Sequence, residues 1–253
     1  MSGARIGTAI VAYIEPHEGH AREFNRWYER DHFPAAVLAG PGAFSGARFV
    51  ATRECKAMRR GGRRFGAPAR GSYLAVAWLL PGAQEAWDAW VVGAVERLAA
   101  EDRMFPHRDH LHTAVYRIAT EARTDEGPPA AQALDHPFAG VAVVAIERAD
   151  CDSDSGAVDD AAGAWVRALV GPAVPVAVVL SPQRLVVSVL DGAAEGFDDH
   201  RLVVAFLADD VLATWSSTVA PALTALADAG TGVGFAGPFL RTVPGTDTYV
   251  DDL

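Results

Sequence analysis

The strongest constraint on the fold is that the chain resembles itself. Tyr73-Leu-Ala-Val-Ala-Trp-Leu-Leu80, followed by Trp87 and Leu98, lines up with Arg201-Leu-Val-Val-Ala-Phe-Leu-Ala208, Trp215 and Leu226 at a constant offset of 128. Gly7-Thr-Ala-Ile-Val-Ala-Tyr-Ile-Glu15 likewise resembles Gly140-Val-Ala-Val-Val-Ala-Ile-Glu147, in the same order. Ordered self-similarity of this kind means two copies of one structural unit. The 253 residues suit one large domain or two small ones. Between the copies lies Thr120 to Pro137, where Gly127-Pro128-Pro129-Ala130-Ala131 has linker composition. The expected organisation is a first repeat over 1–122 carrying the site, a linker over 123–137, and a degenerate second repeat over 138–253.

Periodicity changes along the first copy. Residues 6–14 form a short apolar run of a buried strand. Residues 20–38 have helical spacing, with Phe24, Tyr28 and His32 four apart, and Gly40-Pro41-Gly42 stops the helix. Strands follow at Phe44–Thr52, Tyr73–Leu80 and His112–Ala119. A helix over 84–100 carries the stripe Trp87, Val91, Ala94 and Leu98. The order β-α-β-β-α-β is the ferredoxin-like unit, with both helices on one sheet face. The second copy gives the same order, with strands near 139–147, 176–189, 201–207 and 233–243 and a first helix near 157–170. The expected fold class is therefore α+β, and a chain that is 50% hydrophobic has material for a sizeable core.

Charge is uneven. Up to Gly127 there are 17 basic and 15 acidic residues, and after it 5 and 17. The basic excess sits in Arg53, Lys56, Arg59, Arg60, Arg63, Arg64 and Arg70, among Gly61, Gly62, Gly66 and Gly71. With Phe65 as its one aromatic, this reads as a mobile solvated loop meeting the acidic half, and a nucleic-acid partner is not expected. Two cysteines, Cys55 and Cys151, are not a disulfide framework and read as free thiols of a cytoplasmic protein. No apolar run is long enough to span a membrane, and residues 6–14 read as a strand, not a signal peptide.

Glu23-Phe24-Asn25-Arg26-Trp27-Tyr28-Glu29-Arg30-Asp31-His32-Phe33-Pro34, then Pro41-Gly42-Ala43-Phe44 and Gly46-Ala47-Arg48, resembles the EthD-like members of the dimeric α/β-barrel superfamily. The shared signature is an F-x-x-W-Y-x-x-x-H-x-P helix leading through a P-G turn into a strand. In the second copy Trp165-Val166-Arg167 stands where that run would be, without a following His or Tyr. The resemblance implies two ferredoxin-like units pairing their antiparallel sheets into an α/β barrel, here within one chain, with further homodimerisation open. Tyr28 and His32 share a helical face, so His32 is a candidate general acid or base and Tyr28 a candidate for polarising a carbonyl. Phe24, Trp27, Tyr73 and Trp78 are candidate walls of a substrate pocket.

A second cluster, His107-Arg108-Asp109-His110-Leu111-His112, resembles the H-P-x-H run before the last strand of olivetolic-acid-cyclase-like and stress-responsive barrels, which implies His110 as a base. The topology also brings His17 and His20 toward His107, His110 and His112, five imidazoles at one sheet end, but no Asp, Glu or Cys spacing supports a metal site. Gly232-Val-Gly-Phe-Ala-Gly237 enters a strand, the reverse of the dinucleotide context. Asp150, Asp152 and Asp154 lack the glycine and terminal glutamate positions of a calcium loop. No G-x-S-x-G elbow is present. The function expected is a cofactor-independent lyase, isomerase or cyclase acting on a small aromatic or polyketide-like molecule. The alternative is a non-catalytic small-ligand-binding or oligomerisation barrel. Monooxygenase chemistry, some of it haem-based in related barrels, ranks behind both, because no residue is marked as an axial ligand.

Overall fold

A computed structural model describes residues 5–62, 64–148, 155–183 and 200–253. Arg63, Cys151, the Asp150-Asp152-Asp154 pattern and the 184–189 end of the expected sixth strand lie outside these residues. The first half runs β1 (Thr8–Pro16), α1 (Ala21–Trp27), β2 (Ala43–Val50), α2 (Arg53–Ala57), β3 (Tyr73–Leu79), α3 (Gln84–Ala100) and β4 (Arg108–Arg123). The second runs β5 (Gly140–Arg148), α4 (Ser155–Leu169), β6 (Val176–Gln183), β7 (His200–Leu207), the short helices α5 (Val211–Thr214), α6 (Ala220–Ala222) and α7 (Thr224–Asp228), and β8 (Thr231–Arg241). The strands close into one antiparallel barrel in the order β1-β3-β2-β8-β5-β7-β6-β4. Each half contributes the same strand order, 4-1-3-2 and 8-5-7-6, which is the ferredoxin-like arrangement.

Strand alternation sorts the side chains. On β3, Leu74, Val76 and Trp78 enter the barrel, while Tyr73, Ala75, Ala77 and Leu79 face the helices. Both faces are covered, so the strands read as near-continuous apolar runs. Phe49, Val76 and Tyr116 of the first half meet Val143, Val204, Phe206 and Phe239 of the second in one interior cluster. Two seams join the halves, and they are unequal. The β4–β6 seam pairs Val115–Arg123 with Val176–Gln183, whereas β2–β8 pairs only Phe49 with Arg241 and Val50 with Leu240.

The barrel interior is closed by irregular segments. The stretch between β4 and β5 sends Ala130, Ala133, Leu134 and Phe138 into the interior cluster. Arg241 donates to the carbonyls of Leu134 (2.5 Å) and His136 (2.8 Å), satisfying backbone that the buried turn would otherwise strand.

The basic segment departs from the solvated loop expected of it. It begins with α2, whose cap is the Thr52 hydroxyl accepting from Cys55 N. Arg60 then pairs with Ala236 of β8, and Gly62 and Arg64 donate their N–H groups to Val233 and Gly234. Arg59 is buried against the rings of Tyr13, Phe235 and Phe239 and donates to the carbonyls of Pro68, Arg70 and Gly71. Phe65 and Cys55 are buried as well. The physical reason is that this barrel mouth needs covering, and an arginine stem with a planar head covers aromatic rings as well as an apolar chain does. The contact with the acidic half is present, as an ion pair between Arg64 and Glu147. Among the described residues no helix is long and apolar enough to cross a membrane.

Candidate functional site

The helix expected over 20–38 is α-helical only as far as Trp27 and continues as π-helical turns at Tyr28–His32 and Pro34–Leu38. Such widened turns recur at functional sites, and here they lie where Pro34 removes a backbone donor. The turns pack onto β2 at Gly46, where a Cβ would stand 2.7 Å from Leu38 Cδ2 and 2.8 Å from Phe33 Cζ. Beneath them the sheet is built from short side chains. Ala12 pairs across to Ala75, and Ile10 to Ala77. The space left under α3 and the π turns is a cavity of about 230 Å³. Ile10, Ala12, Ala75 and Ala77 form its floor, Phe33, Trp87 and Val91 its apolar sides, and Tyr28, His32, Arg108, His110 and Thr113 its polar part.

A β-bulge delivers His110. On β4, His112 lies opposite Tyr13 and His110 opposite Ile14, leaving Leu111 as the extra residue. On a regular strand residues two apart share a face. The bulge cancels that rule, sending His110 to the helix side and His112 into the barrel.

Hydrogen bonds fix the state of His110. The Arg108 Nε–H donates to His110 Nε2 (3.2 Å), so the imidazole proton sits on Nδ1 and is shared with Thr113 Oγ1 (3.0 Å). Burial and the Arg108 charge push His110 down to about 4. His32 stacks on Trp27 with centroids 4.5 Å apart, and its Nδ1 is buried without a hydrogen-bond partner. Burial, then Arg108 and His110, push it down to about 3. Burial pushes the Tyr28 phenol up to about 12 against the pull of Arg48 and Arg108. At neutral pH the cavity therefore presents two neutral imidazoles and a protonated phenol.

Beneath Tyr28 lies a buried ion pair. Arg48 of β2 stacks 4.7 Å from the Tyr28 ring and 5.0 Å from that of Tyr73, and reaches Glu29 at 3.0 Å. Phe24 packs against Tyr28 and Tyr73 in the same layer. Phe24, Trp27 and Tyr73 thus support the wall of the cavity from behind. Trp78 does not belong to this wall. It points into the barrel, because Tyr73 and Trp78 lie five apart on one strand and alternation puts them on opposite faces.

The five-histidine cluster is divided three ways. His17, His20 and His107 meet at the sheet end, with His20 and His107 stacked at 3.9 Å. His110 faces the cavity. His112 joins a relay inside the barrel, in which Arg64 donates to His200 Nδ1 (3.2 Å), His200 Nε2 donates to Tyr116 Oη (3.0 Å), and Tyr116 donates to His112 Nε2 (2.6 Å). Among the described residues no group of three or more His, Cys, Asp or Glu is placed to hold a metal ion. The cavity is smaller than the roughly 300–1,000 Å³ of drug-sized ligand sites, and it does not fit a macrocycle such as haem.

Sequence reasoning passed over Arg108, Thr113 and Arg48 as site residues. Arg48 stood in the quoted strand motif and Arg108 within the histidine cluster, so the signal was adjacency. What was missing was the side of the strand on which each would lie.

Comparison with protein-family models and with curated proteins finds no match. Solved structures share the architecture at low identity. An anthrone oxidase-like protein superposes with TM-score 0.57 at 10% identity, over 96% of this chain and 94% of that one. A candidate chlorite dismutase gives 0.53 at 12%, over 98% and 100%. A candidate monooxygenase from Fusobacterium nucleatum subsp. nucleatum gives 0.53 at 8%, over 94% of each chain. At these identities the likeness shows the fold, and a fold hosts many chemistries.

Proposed function

We propose that the chain is an EthD-like barrel whose first half holds the active site of a cofactor-independent lyase, isomerase or cyclase, working on a small aromatic or polyketide-like molecule. The observation that carries this reading is the convergence of Tyr28, His32 and His110 on one apolar cavity. In the step envisaged, a C–H bond beside a carbonyl breaks and its proton passes to His110 Nε2. The electron pair moves onto the carbonyl oxygen, which becomes enolate-like and takes a hydrogen bond from the Tyr28 hydroxyl. The protonated His110 then returns that proton to another carbon or to oxygen, directly or by way of neutral His32 on the facing helix, so both imidazoles end the cycle as they began it. The apolar floor excludes water and holds the ring of the substrate.

The test is replacement of His110 and of His32 by Ala, assayed on a panel of small aromatic ketones and polyketide-like acids. Loss of about 10²–10⁴-fold in turnover with ligand binding retained supports the enzyme. Full turnover in both variants removes the proposed roles. A second reading, a non-catalytic ligand-binding barrel, is favoured by one observation. Imidazoles held at about 3 and about 4 are weak bases at neutral pH. It predicts tight binding of a panel member without turnover. Engagement of Arg53, Arg59, Arg64 and Arg70 in internal contacts supports a partner that is a small molecule and not a nucleic acid.

A further inference from the structure

Among the described residues Arg108 is the one cation lining the cavity. Its guanidinium lies 4.9 Å above the Trp27 ring, and Trp27 is itself anchored by Nε1 donating to the Arg103 carbonyl at 2.7 Å. The carboxylates on the neighbouring elements are paired with other groups. Glu29 pairs with Arg48, Asp31 with Arg103, Glu23 with His20, and Asp109 with His17 and Arg70. Among the described residues none pairs with Arg108. A half-buried guanidinium without a counter-charge is costly, and that cost falls only when an anion joins it.

We propose that Arg108 is the specificity-determining residue of this cavity, and that the cavity takes a small ring compound carrying one acidic oxygen: a carboxylate, a phenolate or an enolate. This rests on the reading of the cavity as the ligand site. The ring lies on Ile10 and Ala77 against Trp87 and Val91, and the acidic oxygen meets the outer nitrogens of Arg108. Binding also changes His110. In the free protein the Arg108 Nε–H covers the lone pair on His110 Nε2. An anion that draws the guanidinium toward the cavity uncovers that lone pair and cancels the charge that opposes protonation. The group that anchors the ligand thereby switches on the base.

Benzoate and benzamide, alike in shape and different in charge, test this by titration calorimetry on the full chain. The expected result at pH 7 is benzoate binding about tenfold or more tightly than benzamide. Arg108→Gln should abolish the preference while keeping benzamide affinity, and Arg108→Lys should retain part of it. At pH 5.5, in buffers of different ionisation heat, benzoate binding should take up protons in the wild type and not in Arg108→Gln. Equal affinities in the wild type, or a preference that survives Arg108→Gln, overturn the proposal. If that equal binding is lost on filling the cavity with Ala12→Val and Ala75→Val, the cavity still stands as the site. Binding of neither probe, or binding indifferent to the filled cavity, overturns the cavity as the ligand site and the proposal with it.

Discussion

The two halves share one strand order and one bulge, yet one holds a cavity between sheet and helices, while among the described residues the other packs that layer into one cluster. Cross-strand register makes the comparison residue by residue. Ala12 opposite Ala75 corresponds to Val144 opposite Val203, and Ile10 opposite Ala77 to Ala142 opposite Ala205. On the last strand of each half, His110 corresponds to Val233 and Thr113 to Ala236, with Gly234 as the extra residue where the first half has Leu111. Above these positions the second half packs Trp165, Trp215, Val219, Leu223 and Leu226 into a single cluster with Val144 and Val203. The first half splits the same layer into two clusters with the cavity between them. The backbone is therefore indifferent to whether such a cavity exists. A few methyl groups and the polarity of two bulge-flanking residues decide it.

The contrast breaks most visibly under truncation. Trp215→Ala removes the centre of the packed layer and is expected to cost about 3–5 kcal/mol, read from urea denaturation. Val91→Ala, beside space that is already open, should cost less than about 1 kcal/mol, because no new cavity is created. If the two truncations cost the same, the halves do not differ in packing.

The converse exchange makes the first half resemble the second. Ala12→Val with Ala75→Val should weaken binding of any cavity ligand by about a hundredfold with an unchanged or raised Tm. Retained binding would mean that the ligand sits elsewhere.

Acid separates the halves next. Burial first, and nearby arginines after it, hold His32, His110 and His112 of the first half at about 3, 4 and 4, and His200 of the second at about 2. The unfolded chain takes up these protons near the ordinary imidazole value of 6.5, and the folded chain refuses them. The stabilisation is thus complete above about 6.5 and is lost as pH falls through the folded values near 4. The variant His112→Phe, bearing the residue type of its counterpart Phe235, should lose on the order of 1–3 kcal/mol less stability between pH 7 and 4.5. A parallel decline of Tm with pH in both proteins would count against this. Smallest of all, Thr113→Ala, copying Ala236, removes one hydrogen bond to His110 and should lower turnover about two- to tenfold. A larger loss would give Thr113 a direct part in the chemistry.

Much of this architecture was legible because period and repetition are properties of the string. Helix α3 runs over Gln84–Ala100, the residues its apolar stripe predicts. Tyr73 and Arg201, 128 residues apart, each lie opposite an isoleucine of the neighbouring strand, Ile14 and Ile146. The site was legible only in part. Tyr28, His32 and His110 do meet, but a strict two-residue period would have put His110 and His112 on one face. A bulge has no sequence mark beyond the one residue it inserts, so neither that parting nor the role of Arg108 could be read in advance. The basic segment misled for a different reason. Its glycines and charges have loop composition, while its fixed course comes from contacts with β8 more than 160 residues away.

The unequal seams carry a consequence for how the molecule breathes. Eight residue pairs hold β4 to β6 and two hold β2 to β8, so the amide proton of Val50, which faces β8, should exchange with solvent well before those that join β4 to β6 between Ile118 and Arg123. Arg48, also on β2, braces Tyr28 from below. Each partial unzipping of that short seam therefore slackens the cavity wall, and a ligand has a door on the side where the barrel is least stitched.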